Sequence, residues 1–165
     1  SDKFKPEIMV NAAAIRTLFR EPSPMEKLGV TIIGVDSFEP GHEAENAIDQ
    51  NPHTLWHTAW THDKPGYPHE ILLDLGEPVV LKGIRYLPRQ DYNQNGWIKE
   101  YAVYVSDSAS DWGDPVARGV FQKDAYLKTI HFDPEITVRY LRFDAIDGFG
   151  DDVFTSIAEL ELIAK

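Results

Sequence analysis

The 165-residue sequence contains no cysteine. That excludes a disulfide framework and any thiolate-bound zinc. Positive charge is scarce as well: 16 Lys and Arg stand against 27 Asp and Glu, for a formal net charge of −11. Nucleic acid and anionic membrane surfaces both select a basic face, so neither is expected as a partner. No apolar run approaches the length of about 18 residues that a bilayer-spanning helix requires. The sequence also has no nucleophile elbow, no phosphate-binding glycine loop and no HExxH pair of metal-binding histidines. Carboxylates are plentiful, but a pair such as Glu39 and Asp91 is only two among 27. Spacing alone does not single out a catalytic dyad, because catalytic roles are defined by geometry and not by order along the chain.

What the sequence does have is a 42% hydrophobic and 12% aromatic composition, in the range of a packed globular domain. Short β-branched and aromatic runs lie at 30–35, 70–75, 79–87, 101–106, 116–121, 129–132, 138–145 and 156–163. Gly, Pro, Asn and Asp separate them. Many short strands so punctuated predict an all-β sandwich or barrel. The run 138–145 carries apolar groups on both alternating faces, which suits a strand inside a sheet. Residues 1–29 read differently. The stretch NAAAIRTLF (11–19) fits a short helix or a strand, and REPSPMEKLG (20–29) fits a proline-bearing linker. The expected organisation is therefore a leader or linker over 1–29 and one domain over 30–165.

Residues 53–69 concentrate four of the six histidines and two of the four tryptophans. His53, His57, His62 and His69 are interrupted by Pro52, Pro65 and Pro68, so no sustained helix would place two rings on one face to hold a metal. Trp56, leading toward a strand, is expected in the core. A sugar site needs an aromatic face under the apolar C–H patch of the ring and planar polar side chains for its hydroxyls. Trp60, His57, Arg89 and Asn95 are residues of that type. Arg89 follows the strand 79–87 in a polar loop, where it either donates its fork to a ligand or simply pairs with Asp91 at the surface.

The pieces Asn46-Ala47-Ile48-Asp49, Thr54-Leu55-Trp56-His57-Thr58-Ala59-Trp60, Pro68-His69-Glu70-Ile71, Asp74-Leu75-Gly76, Tyr86-Leu87-Pro88-Arg89, Tyr101 to Ser106 and Ser156-Ile157-Ala158-Glu159-Leu160 resemble, in order, the coagulation factor 5/8 type C (discoidin-like) domain. The most similar branch is the bacterial carbohydrate-binding module family 32, appended to secreted glycosidases. This resemblance implies a jelly-roll, galactose-binding-domain-like β-sandwich of about eight strands with its ligand site in loops at one end. It further implies a non-catalytic, monomeric module for galactose or N-acetylgalactosamine. The module would be tethered to a glycoside hydrolase and secreted, periplasmic or at the surface of a bacterium. The family's binding set falls on His57, Trp60, Arg89 and Asn95, with Glu39 as the acid and Phe154 as the late aromatic, for which Phe149 is a rival. The family's structural calcium would fall on Asn46, Asp49, Asn51, Thr54, Ala158 and Glu159. Gln50 departs from that pattern, since the family usually has glycine there. The alternatives are a discoidin-like module for protein or lipid, with Trp97 and Phe149 as apolar spikes, and a structural prop for a catalytic neighbour.

Overall fold

The computed structural model describes residues 23–165; the expectation for 11–19 lies outside the described residues. Among the described residues, a short α-helix, a 3-10 helix and eight strands occur, in the order α1 (Pro24–Leu28), β1 (Thr31–Val35), the 3-10 helix (Ala44–Ile48), β2 (Trp56–His57), β3 (His69–Leu87), β4 (Ile98–Ser106), β5 (Ala117–Val120), β6 (Lys128–Gly148), β7 (Ser156–Ile157) and β8 (Glu159–Ala164). All pairings are antiparallel. No helix among the described residues is long and apolar enough to cross a membrane.

Two of the strands are far longer than the five or six residues typical of a strand, and they join runs that the sequence separates. β3 unites 70–75 with 79–87, and β6 unites 129–132 with 138–145. Both bend, and the β3–β6 register shifts between Asp74 and Val79. The bend splits the pairing into two layers. The first half of β3 pairs with β1 and with the second half of β6, which continues through β4 to β5. The second half of β3 pairs with β8 and with the first half of β6. The result is a β-sandwich in which β6 is interior, as its two-sided apolar pattern predicts.

The core lies between the layers. Ile71, Leu73 and Leu75 alternate inward on β3 and meet Leu81, Ile84 and Tyr86 from its other half. Leu141 and Phe143 come from β6, Val103 from β4, and Leu160 and Leu162 from β8. Trp56 is buried in the same core, its indole N–H donating to the Ser37 carbonyl at 3.0 Å. His53 and His62 are exposed, and His69 opens β3 fully buried.

The linker expected over 20–29 is corrected in part. Ser23 caps α1 by accepting from the Glu26 N–H, Pro24 stands at its first turn, and Gly29 ends it in the left-handed conformation. Met25 is buried in the core and Leu28 packs against it. A five-residue helix has little intrinsic stability; the apolar pair held by the core is what fixes it. The packed unit thus includes residues 23–29, ahead of the boundary expected at residue 30.

Candidate functional site

Because β3 crosses both layers and bends between them, both of its ends deliver loops to the same end of the sandwich. The segment after β2, the loop 88–97 and the loop 149–155 meet there around a cavity of about 320 Å³. It is lined by His57, Trp60, Arg89, Asn95 and Phe154, together with His42 and Asn93. This volume is at the low end for small-molecule sites.

The backbone of β2 and β7 locks the floor. His57 pairs with Ser156, the Thr58 N–H donates to the Thr155 carbonyl at 2.9 Å, and the Thr155 N–H donates to the Thr58 hydroxyl at 3.0 Å. This brings the His57 and Phe154 rings to 5.3 Å between centroids. Trp60 makes a T-shaped contact with His57 at 4.5 Å and 80°, and it is 42% exposed. A half-exposed indole anchored against His57 and His42 offers an aromatic surface at the cavity.

His57 is 3% exposed, and burial holds its pKa below the usual histidine value. The Thr58 carbonyl supports the charged form, but Arg89 and His42 oppose it. The ring is therefore neutral at pH 7. Its Nδ1 lies 2.7 Å from the Thr58 carbonyl oxygen, which can only accept, so the proton sits on Nδ1 and Nε2 carries a lone pair.

Arg89 is paired with Asp91 and also borders the cavity. Its Nε and one terminal nitrogen, Nη2, donate to the two Asp91 carboxylate oxygens at 2.6 and 2.9 Å. The hydrogen bonds from Arg89 hold the Asp91 carboxyl below its ordinary range, outweighing partial burial. A guanidinium has five N–H bonds; this pair uses two and leaves Nη1 for a ligand. Asp91 is thus the splint that aims the fork.

Asn95 is held by its backbone, donating to the Asn93 side chain at 2.8 Å and accepting from the Ser156 hydroxyl at 2.8 Å. Gly96 next to it has φ +86°, and a Cβ there would sit 2.4 Å from the Ser156 nitrogen. Only glycine lets this loop approach β7 so closely. Trp97 closes the loop, donating its indole N–H to the Arg89 carbonyl at 3.1 Å. It is 8% exposed, which corrects its expected role as a spike: the ring is spent on fixing Arg89 from beneath.

Glu39 is the one residue of the expected set that does not line the cavity. It faces the adjoining hollow, and its Oε2 accepts from the backbone N–H of Trp60 and of Thr61 at 2.8 and 3.1 Å. The Thr61 hydroxyl bonds Oε1. Burial raises the Glu39 carboxyl, but those three bonds and nearby His62 outweigh it, and its pKa lies below the usual range. Its geometry is that of a clamp on the Trp60 backbone. His69 acts alike on the other wall: its Nδ1 meets Asp36 at 2.7 Å and its Nε2 meets the Val153 carbonyl, pinning the loop that carries Phe154.

Sequence reasoning missed His42 and Asn93. Their signal was faint: both sit in Gly- or Asn-rich turns, whose side chains usually serve the turn itself. His42 enters because the 39–42 turn is stitched to β2, with the His57 N–H donating to the His42 carbonyl at 3.2 Å.

The expected calcium residues also gather, away from this cavity. The Asn51 N–H donates to Asp49 Oδ1 at 2.9 Å and to Glu159 Oε1 at 3.1 Å, and the Thr54 hydroxyl bonds Asp49. The Asn46 amide instead reaches the Leu55 carbonyl, and the buried Ala158 donates its N–H to Leu87. Gln50 has φ +65°, the left-handed conformation in which glycine is the low-cost residue. Glu159 is 1% exposed, and its Oε2 has no hydrogen-bond partner. Burial, reinforced by Asp49 beside it, pushes this carboxyl up to about 11. Among the described residues no three or more His, Cys, Asp or Glu side chains are arranged to hold a metal ion by themselves. Two carboxylates, a hydroxyl and turn carbonyls are nevertheless a hard-oxygen set of the kind that calcium takes, and an orphaned buried carboxylate oxygen is what a cation would satisfy.

Comparison with known proteins bears on this geometry. Residues 32–160 match the family model described as the F5/8 type C domain. A galactose oxidase of Gibberella zeae is 39% identical over 128 residues, covering 77% of this chain and 19% of that protein. A sialidase of Micromonospora viridifaciens is 37% identical over 142 residues, covering 84% and 22%. The chain thus spans about a fifth of the length of these curated relatives. Among solved structures, the family 32 carbohydrate-binding module of Clostridium perfringens NanJ in complex with galactose is 31% identical with a TM-score of 0.71, covering 81% of this chain and 92% of that one. A second module of that organism, in complex with GalNAc-β-1,3-galactose, is 28% identical with a TM-score of 0.73, covering 81% and 94%. The chain belongs to the F5/8 type C domain family, in the branch of the family 32 carbohydrate-binding modules.

Proposed function

We propose that this domain is a non-catalytic module for terminal galactose or N-acetylgalactosamine, held in the cavity of His57, Trp60, Arg89, Asn95 and Phe154. The observation that carries it is the opposed polarity of two residues lining one cavity: Arg89 Nη1 only donates, and His57 Nε2 only accepts. A hydroxyl between them accepts from one and donates to the other; an ether oxygen or a carbonyl satisfies only half of the pair. Beside them stands the half-exposed Trp60 ring. In galactose the axial O4 leaves one ring face a continuous C–H patch, so this sugar offers both features at once. Glucose turns O4 equatorial and leaves buried polar groups unpaired, a cost of about 1 to 3 kcal/mol, or about ten- to a hundredfold in affinity.

The test is an NMR titration of the ¹⁵N-labelled domain with galactose and with glucose. Saturable shifts at residues 57, 60, 89 and 95 are expected with galactose at about 0.1 to 1 mM, and only far weaker ones with glucose. Equal response to both sugars, or none at tens of millimolar, would sink the assignment. The pH dependence follows from the lowered pKa of His57. Affinity should be full at pH 8, and its decline as pH falls should be centred below 6.5, the unperturbed value. Protonation there converts the acceptor into a second donor beside Arg89, and the hydroxyl's own proton is left unpaired. A decline already centred above pH 6.5 would count against His57 as the acceptor.

One shallow site of this affinity works through tethering. Support for a catalytic neighbour comes from the short share of its relatives that this chain spans. On this reading the module is monomeric and acts outside the cytoplasm, secreted, periplasmic or at a cell surface.

We also infer a structural calcium at Asp49, Asn51, Thr54 and Glu159, with Asn46 and Ala158 offering backbone oxygens; its role is to neutralise the two carboxylates and tie the 49–54 turn to β8. Without a cation, Glu159 holds a proton that the unfolded chain releases near pH 4.5. Its contribution is then full below pH 4.5 and is lost progressively as pH rises toward 11. At pH 7 that forfeits up to about 3 kcal/mol. In chelator, Glu159→Gln should therefore be more stable than the parent by about 1 to 3 kcal/mol, and should gain nothing from added calcium. Thermal unfolding with EDTA and with millimolar calcium reads both; a parent that calcium leaves unmoved refutes the assignment.

A further inference from the structure

A second, smaller cavity of about 160 Å³ adjoins the first and shares Asn95 and Phe154 with it as a common wall. Its base is the buried Trp97, and its rim carries Gln94, Lys123, Phe149 and Asp152. Residues 148–152 bring Phe149 and Asp152 to it from the end of β6, and Lys123 comes from the segment after β5. The Lys123 ammonium stands 5.9 Å from the Phe149 ring centroid. None of these four rim residues has a part in the first cavity.

We propose that this second cavity holds the next unit of a glycan, so that the domain reads a disaccharide whose terminal galactose fills the first cavity. The proposal rests on the galactose reading above and extends it. Three features point to a sugar and define its class. The rim mixes donors and acceptors: the Gln94 amide, the Lys123 ammonium and the Asp152 carboxylate, which suit hydroxyls rather than a single ion. The half-buried Phe149 supplies an aromatic edge for a second ring. Lys123 is balanced by Asp152 on the same rim, so an acidic sugar would meet a carboxylate as well as the ammonium. The class is therefore a neutral hexose or N-acetylhexosamine. Because Asn95 and Phe154 border both cavities, one covalent ligand can occupy the two without crossing open surface.

The test titrates the ¹⁵N-labelled domain with galactose, with GalNAc-β-1,3-galactose, and with β-1,3-, β-1,4-, α-1,4- and α-1,6-linked galactosyl disaccharides. At least one disaccharide should bind about five- to tenfold more tightly than galactose. It should also move the amides of Gln94, Lys123 and Phe149, which galactose leaves in place. In the double variant Lys123→Ala, Phe149→Ala that gain should vanish while galactose affinity stays unchanged, which also shows that the variant is folded. If every disaccharide binds within about twofold of galactose, or the double variant keeps the gain, the second cavity is not a subsite. The two readings fail separately. Galactose that leaves His57, Trp60 and Arg89 unmoved defeats the first. Disaccharides that move only those three defeat the second.

Discussion

Arg89→Ala is expected to abolish measurable galactose binding, weakening it at least about thirtyfold while the fold is retained. A single shallow site begins with only about 4 to 5.5 kcal/mol of binding free energy. Each charge-assisted bond that Arg89 Nη1 gives a hydroxyl is worth about 1.5 to 3 kcal/mol. Removing it also takes away the donor half of the donor–acceptor pair, so His57 no longer selects a hydroxyl. Folding should be little affected, because Asp91, the partner left behind, is 56% exposed and becomes an ordinary surface carboxylate. Arg89→Lys separates charge from geometry. A lysine keeps the charge but cannot hold Asp91 with two bonds and still present a third nitrogen. Its affinity should fall between those of the parent and the alanine variant. Calorimetry on the three proteins decides this. Arg89→Ala binding within threefold of the parent would show that the guanidinium serves only its pair with Asp91.

The largest effect on stability is expected at Gly83, on β3. Its φ is +157°, and an added Cβ would fall 2.1 Å from the carbonyl oxygen and 3.1 Å from the carbonyl carbon of Ile130 on β6. The obstacle is backbone, not a side chain that could turn aside. Gly83 also sits at a register shift where β3 pairs with β6 on one edge and with β8 on the other, so neither neighbour can yield without disturbing its own ladder. Gly83→Ala should cost about 3 to 5 kcal/mol, the exceptional end for a single substitution, and should leave the domain poorly folded. Gly113→Ala is the control. Gly113 also has positive φ, at +59°, but nothing lies within 4 Å of its Cβ position. Only the conformational penalty of about 1 kcal/mol remains. Urea unfolding of the two variants compares them directly. A Gly83→Ala domain as stable as Gly113→Ala would mean that the β3–β6 contact relaxes at little cost.

What the sequence alone determined here was set by local pattern and by residue type. The short apolar run at 70–75 made a strand legible, and apolar groups on both faces of 138–145 marked an interior one. Residue chemistry made His57, Trp60, Arg89 and Asn95 candidates for a hydroxylated ligand. Their convergence on one cavity is a property of the bend in β3, which returns both its ends to one end of the sandwich. No local pattern encodes that, because it depends on pairing between residues more than fifty positions apart, such as Asp74 with Tyr140. The same holds for finer roles. Glu39 is an acid in the right stretch, but only the folded loop shows its carboxylate spent on the Trp60 backbone. Trp97 looks like an exposed anchor until its indole is found under Arg89. Met25 lies in a stretch that reads as linker, and the core holds it. In each case composition specified which group was available, and the tertiary structure decided what was left for it to bond.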